Sequence, residues 1–186
     1  RLKGLKRSEP GYELAVRGST CRVEYTTTSD LMRALGQWLA HPGNPGSQVP
    51  PLAFRGLMID SSRNAVIRPE VLKKILRRLA LFGYNAVCLY TEDTYEVDGH
   101  PEMGYLRGKY TQRELRELDA YAAKLGIEMF PCIQTLGHME QILSHPNYRK
   151  FRDDDHILNI KLVETYQFIE ALIDSAAKPY KSRRIH

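Results

Sequence analysis

The sequence predicts an α/β chain: about the first four strands of a (β/α)8 TIM barrel, preceded by part of a small α+β domain. Three observations predict it. Continuous apolar runs at residues 54–59, 85–90 and 127–133 are separated by segments of helical periodicity, the signature of parallel strands covered on both faces. These units recur at roughly 35–45 residues, close to one eighth of a barrel of about 250 residues. A stretch rich in proline and glycine at 41–51 separates them from an N-terminal part with a different pattern. Residues 1–45 are therefore read as the end of the small domain with its linker, and residues 46–186 as the first half of the barrel.

The elements follow in order. Residues 12–16 alternate, Arg17-Gly18-Ser19 turns, and residues 21–25 alternate again, giving a hairpin. Ser29 or Asp30 is placed to cap a helix with Leu31, Leu35, Trp38 and Leu39 on its apolar face. After the linker, residues 54–59 form the first barrel strand. Pro69 opens a helix carrying Val71, Leu72, Ile75, Leu79 and Phe82, and Gly83 stands where a left-handed cap ends it. Residues 85–90 form the second strand, followed by a polar loop over 92–110. Thr111 with Glu114 makes a capping box for a helix carrying Leu115, Leu118, Tyr121, Ala122 and Leu125, closed by Gly126. Residues 127–133 form the third strand. A long helix covers 162–177, with Val163, Tyr166, Ile169, Leu172 and Ile173 on its face. Arg184-Ile185-His186 reads as the beginning of a fourth strand, which is why half a barrel is expected rather than a closed domain.

Composition excludes several classes. Charged residues make up 26% of the chain and no window is apolar enough for a membrane span. Residues 1–10 are basic without an apolar stretch behind them, so no signal peptide is expected. The net charge of +5 raises nucleic acid as a partner. However, the basic residues are scattered and have no aromatic residues interleaved for stacking, so none is expected. Cys21, Cys88 and Cys132 are an odd number at wide spacing, which gives neither a disulfide framework nor a metal pair. They lean towards a reducing, cytoplasmic setting. No glycine-rich loop opens a helix, so no phosphate site and no cofactor are expected.

Barrel active sites gather at the C-terminal ends of the strands. There the sequence supplies Asp60, Ser61, Ser62 and Arg63, then Thr91, Glu92 and Asp93, then Gln134, Thr135 and His138, and finally His186. Carboxylates beside hydroxyls and imidazoles suit carbohydrate chemistry, in which acids protonate leaving oxygens and polar groups bond sugar hydroxyls. Each residue also has a structural reading. Asp60 and Arg63 read equally as a buried ion pair, Glu92 or Asp93 as a loop cap, and His138 as the cap of the short helix that follows. Tyr90, Tyr95 and Tyr105 read as packing. Asp98, His100 and Glu102 have only a superficial metal-ligand spacing, and no metal site is expected. The run Asp153-Asp154-Asp155-His156 reads as a solvated turn.

Phe54-Arg55-Gly56-Leu57-Met58-Ile59-Asp60-Ser61-Ser62-Arg63 resembles the first barrel strand of glycoside hydrolase family 20, the β-N-acetylhexosaminidases. Gly83-Tyr84-Asn85 with Tyr90-Thr91-Glu92-Asp93 is similar to the second strand of that family, with Glu92 standing where aspartate is commoner. Residues 133–138 are similar to the third-strand signature ending in Gly-His, and Arg184-Ile185-His186 to the start of the fourth-strand motif His-x-Gly-x-Asp-Glu. The resemblance runs from about Tyr12 to His186.

The resemblance implies removal of terminal non-reducing N-acetylhexosamine from glycans or small glycosides, with retention and without an enzymic nucleophile. The 2-acetamido oxygen of the substrate attacks the anomeric carbon, a glutamate acts as general acid and then base, and its aspartate neighbour orients the acetamido group. Both acids are expected just after His186, so the segment alone is expected to be inactive. By the same resemblance Arg55 holds the outer hydroxyls of the terminal sugar, pointing into the barrel. Glu92 and Asp93 match the second-strand acids, one of which supports the catalytic glutamate through a histidine that His138 matches, and His186 opens the catalytic motif and binds substrate. Two rival readings stand beside it: another barrel glycosidase, or a carbohydrate-binding or scaffold barrel without the acids. Open sheet edges would also let two copies pair as a homo-oligomer.

Overall fold

The computed structural model describes residues 2–18 and 20–186; Arg1 and Ser19, the last residue of the expected turn, lie outside the described residues. The chain forms two compact units. One is the chain through Leu57 with Glu70–Val87 and Ala120–Glu128; the other is Met58–Pro69, Cys88–Asp119 and Met129–His186.

The first unit contains a four-stranded sheet in the order β1-β3-β2-β4. The expected hairpin is β2 (Tyr12–Arg17) and β3 (Thr20–Tyr25), antiparallel, with Tyr12 opposite Tyr25 and Val16 opposite Cys21. Alternation buries Tyr12, Leu14, Cys21 and Val23, and these meet Ala34 in one core. Two strands escaped the sequence reading. β1 (Leu2–Lys6) runs parallel to β3, and β4 (Gly46–Gln48) pairs with β2 inside the stretch read as a linker. The first is too polar and the second too short for periodicity to reveal, so sheet pairing makes both.

The helix α1 (Thr28–Ala40) follows β3. Its cap is Thr27 rather than Ser29 or Asp30. The Thr27 side chain accepts from the Asp30 amide, and the Asp30 carboxylate accepts from the Thr27 amide at 2.9 Å. Asp30 is thus the third helical residue of a capping box. Leu39, expected on the apolar face, is exposed. Thr27→Ala should lower the stability of the full-length protein by about 1 kcal/mol. A shift of the urea midpoint would register it, and an unmoved midpoint would mean the box is redundant.

The barrel strands are β5 (Gly56–Asp60), β6 (Ala86–Tyr90) and β7 (Glu128–Cys132), in the order β5-β6-β7. Their pairing is parallel, since starts meet starts and ends meet ends. The Asn85 amide donates to Arg55 O and that of Glu128 to Asn85 O. At the other end the Ser61 amide donates to Tyr90 O and that of Thr91 to Cys132 O. β6 is buried at every residue, as its unbroken apolar run requires, whereas β5 buries only Ile59. His186 lies beside β7, donating its amide to Pro131 O and accepting from the Ile133 amide, both at 3.0 Å.

Crossover helices α2 (Pro69–Phe82) and α3 (Gln112–Lys124) stand as expected. Gly83 follows the first of these at φ 88. The capping box of α3 forms, with the Thr111 amide donating to Glu114 Oε2 at 2.8 Å. Phe82 corrects the sequence reading, since it is 71% exposed while Leu76 takes the buried position.

The short helix α4 (Glu140–Ser144) and a 3-10 turn (Pro146–Phe151) precede α5 (Val163–Ala177). The phase of α5 is a second correction. Val163, Tyr166 and Ile173 are exposed, and the buried face is Thr165, Phe168, Leu172, Ser175 and Ala176. Its two hydroxyls are satisfied internally: Thr165 Oγ1 donates to Asn159 O at 2.8 Å, and Ser175 Oγ accepts from the Asp98 amide at 3.1 Å. A satisfied hydroxyl is buried at little cost, so polarity misled the periodicity.

Candidate functional site

The second unit carries the C-terminal ends of the strands, and polar side chains converge there. Glu92 and Asp93 follow β6 directly. Glu92 adopts a left-handed backbone, φ 51, which turns the two successive acids to different partners. Its carboxylate accepts from Tyr90 Oη at 3.0 Å and from the Ser62 hydroxyl. Asp93 is buried and receives Nη1 of Arg107, whose Nη2 donates to Ser62 O and lies 4.0 Å from Glu92. Burial pushes the Asp93 carboxyl above the usual carboxylate range, and the Arg107 guanidinium opposes this only in part. Arg107 therefore joins the loop after β5 to the acids after β6. The sequence reading missed it because its partner lies 14 residues away across a loop with no periodicity.

Asp60 ends β5 and pairs with Arg63 at 2.9 Å. The pair is exposed, 36% and 61% at the side chains, and not the buried pair that one reading allowed. Desolvation would raise the Asp60 carboxyl, but the amides of Ser62 and Arg63 and the Arg63 guanidinium outweigh it and hold it below its ordinary value. The guanidinium carbon of Arg63 sits 4.9 Å from the Tyr90 ring centroid, over its face. Tyr90 Oη also accepts from Gln134 Nε2 at 3.0 Å, which brings in the loop after β7. One connected set of contacts thus runs Arg63, Tyr90, Glu92, Ser62, Arg107, Asp93.

Arg55 stands directly before β5. Its guanidinium is taken up by backbone and a hydroxyl. Nε donates to Gly83 O at 2.7 Å, Nη1 to Leu52 O and Nη2 to Ser29 Oγ at 3.2 Å. Arg63, after the strand, has the exposed guanidinium. His138 is exposed, has φ 56, and makes no side-chain hydrogen bond among the described residues. It caps nothing either, since Met139 is the cap position of α4 and no side chain bonds there. Asp93 pairs with Arg107. His186 is exposed, with Nδ1 3.2 Å from Cys132 Sγ.

The remaining candidates have separate partners. Tyr95 is buried and donates to Leu172 O at 3.1 Å. Asp98 pairs with Lys178, His100 Nδ1 meets Tyr148 Oη at 2.8 Å, and Glu102 accepts from Asn147 at 2.7 Å. Asp154 accepts from the amides of His156 and Ile157, both at 2.9 Å, which makes the acidic run a solvated turn. Positive φ outside glycine falls, among the described residues, at Glu92, Leu106 and His138. All three lie in loops that follow β6 or β7. Backbone strain of this kind collects at functional sites.

The model of the glycosyl hydrolase family 20 catalytic domain matches residues 52–186. A β-hexosaminidase of Vibrio furnissii is 26% identical over 86% of the chain, and one of Akkermansia muciniphila is 30% identical over 76%. The chain spans 32% of each of these relatives. The crystal structure of a family 20 exo-β-N-acetylglucosaminidase from Vibrio harveyi, in complex with N-acetylglucosamine, superposes on all of the chain with a TM-score of 0.86. At 18% identity, over 37% of that structure, this likeness establishes the partial (β/α)8 barrel and its preceding α+β part. Because that family model matches residues 52–186, more than half of the chain, the chain belongs to glycosyl hydrolase family 20.

Proposed function

We propose that the full-length protein carrying this chain removes terminal N-acetylhexosamine from glycans or glycosides by substrate-assisted, retaining hydrolysis. The reading rests on one observation beyond family membership: the connected contacts from Arg63 to Asp93 at the strand ends. Such a set offers a guanidinium and carboxylates to sugar hydroxyls, with every buried polar group satisfied before substrate arrives.

Within it, Arg63 is the residue for the outer hydroxyls of the terminal sugar, in place of Arg55. Asp93 and Glu92 act on the field of the site, held by Arg107 and Tyr90. The acetamido oxygen of the substrate would attack the anomeric carbon. The general acid and its aspartate neighbour belong to the motif that His186 opens, beyond the residues described.

The test is release of nitrophenol from p-nitrophenyl N-acetyl-β-D-glucosaminide by the full-length protein. Turnover supports the reading, and no turnover on gluco or galacto substrates favours the binding-protein alternative. Arg63→Ala should lower kcat/KM about tenfold, what one charge-assisted hydrogen bond at a half-open position contributes. An unchanged kcat/KM would remove Arg63 from substrate contact.

A further inference from the structure

An unbalanced run of positive charge lies on α2, within the first unit. Glu70 is the one acid of that helix, and Lys73, Lys74, Arg77 and Arg78 follow it as two pairs one turn apart. The helix buries Leu72, Leu76, Leu79 and Ala80. With about 3.6 residues per turn, the four cations fall on the opposite side and its flank. Lys74, Arg77 and Arg78 are exposed and Lys73 is half-buried.

The stretch 120–124 of α3 belongs to the same unit and carries no acid. Tyr121 joins it to α2. Its Oη accepts from Arg77 Nη1 at 2.8 Å, and Lys73 Nζ lies over its ring, 5.8 Å from the centroid. One tyrosine thus fixes two of the cations, and Lys124 adds a fifth on the next turn of α3. The sequence hides this meeting, because Arg77 and Tyr121 are 44 residues apart.

The arrangement contributes nothing to the fold. Like charges one turn apart destabilise a helix. Other cations of the chain stand beside acids: Arg7 with Glu9, Arg22 with Glu24, Lys178 with Asp98. Lys74, Arg78 and Lys124 have no ion pair among the described residues. Glu117, one turn before Tyr121, is already held by Arg113 at 2.9 Å. Moreover, α2 and α3 are consecutive crossover helices, so the seam between them is complete without further barrel units.

Guanidiniums and ammoniums packed in this way suit a polyanion. The arginine fork matches carboxylate or sulfate, and the lysines act as point charges. The tyrosine speaks against nucleic acid, since its ring is half-buried, covered by Lys73 and bound at the hydroxyl, and a base needs a free ring to stack on. A membrane surface fits no better, because from Lys73 to Arg78 the helix exposes no apolar side chain to enter it.

We propose that this face of α2 and α3 docks a linear acidic polysaccharide, with sulfate or carboxylate on its sugars. The choice of a glycan among polyanions rests on the hydrolase reading above; the charged surface itself does not. Tethering of this kind raises the local concentration of glycan ends around the enzyme.

The experiment measures binding of a heparin fragment to the full-length protein by calorimetry over a range of sodium chloride concentrations, with turnover of the p-nitrophenyl glycoside measured separately. Lys74→Gln combined with Arg78→Gln should weaken binding about tenfold at physiological salt and reduce the slope of log affinity against log salt by about two, with turnover unchanged. Arg149→Gln combined with Lys150→Gln removes the same charge from the 3-10 turn and should leave binding as it was. Equal losses in the two double variants would assign binding to net charge and overturn the docking surface, as would absence of heparin binding. Tighter binding of single-stranded DNA or of phosphatidylserine vesicles than of heparin overturns the glycan as partner. Heparin binding through the patch without glycoside turnover removes the hydrolase reading and keeps the docking surface.

Discussion

Arg107→Met is expected to lower stability by about 3 kcal/mol at neutral pH, the low end for breaking a buried ion pair because the arginine keeps 22% of its side chain exposed. Methionine preserves much of the volume but leaves Asp93 buried without its cation and Ser62 O without its donor. The pH dependence separates this cause from lost packing. Asp93 already titrates above its ordinary value in the folded protein because it is buried. A carboxyl raised in this way binds more protons folded than unfolded, so its contribution to stability is present at low pH. That contribution is lost as pH rises through the folded value. Removing the guanidinium raises Asp93 further and widens that window upward. The deficit of Arg107→Met should therefore shrink as pH falls from neutral towards the ordinary carboxylate range. Urea unfolding of both proteins at a series of pH values reads it directly, and a deficit that does not vary with pH would assign the loss to packing.

Gly36→Ala is expected to lower stability by about 2 kcal/mol, within the usual range for overpacking. The sign is opposite to what helix propensity alone gives, since alanine in a helix interior gains about 1 kcal/mol over glycine. A methyl group at Gly36 would lie 2.1 Å from Leu81 O and 2.9 Å from the Leu81 carbonyl carbon. Those are backbone atoms at the end of α2, so no rotamer change relieves them and the helices must separate. The urea midpoint measures the effect. A stabilised Gly36→Ala would show that α1 has slack against α2.

Gly36 also marks what the sequence hides. A glycine inside an amphipathic pattern reads as a mild defect until the neighbouring helix is known. The barrel strands were legible because Ala86-Val87-Cys88-Leu89-Tyr90 is apolar throughout, and the cap of α3 because Thr111 and Glu114 interact locally. The face of α5 was not, because Thr165 bonds the turn just before the helix and Ser175 the distant Asp98 amide, so both are buried while Val163 and Tyr166 are exposed. In the site, Glu92 and Asp93 are adjacent in sequence and were found together. Arg107 is tied to them by loop geometry, and no pattern announces it. The two arginines of the first-strand motif flank opposite ends of β5, a difference that the motif alone does not display.

The left-handed residues Glu92, Leu106 and His138 have a consequence for directed evolution. Glycine would relax the backbone at each, at the expense of a more disordered unfolded chain, and asparagine would relieve it partly. Variants selected only for heat tolerance should therefore accumulate such replacements at these positions. Under the proposed function, variants selected for turnover of the nitrophenyl glycoside should keep the side chains and compensate elsewhere, as strained functional positions generally require. Sequencing the survivors of both selections would show the loops after β6 and β7 drawn in opposite directions.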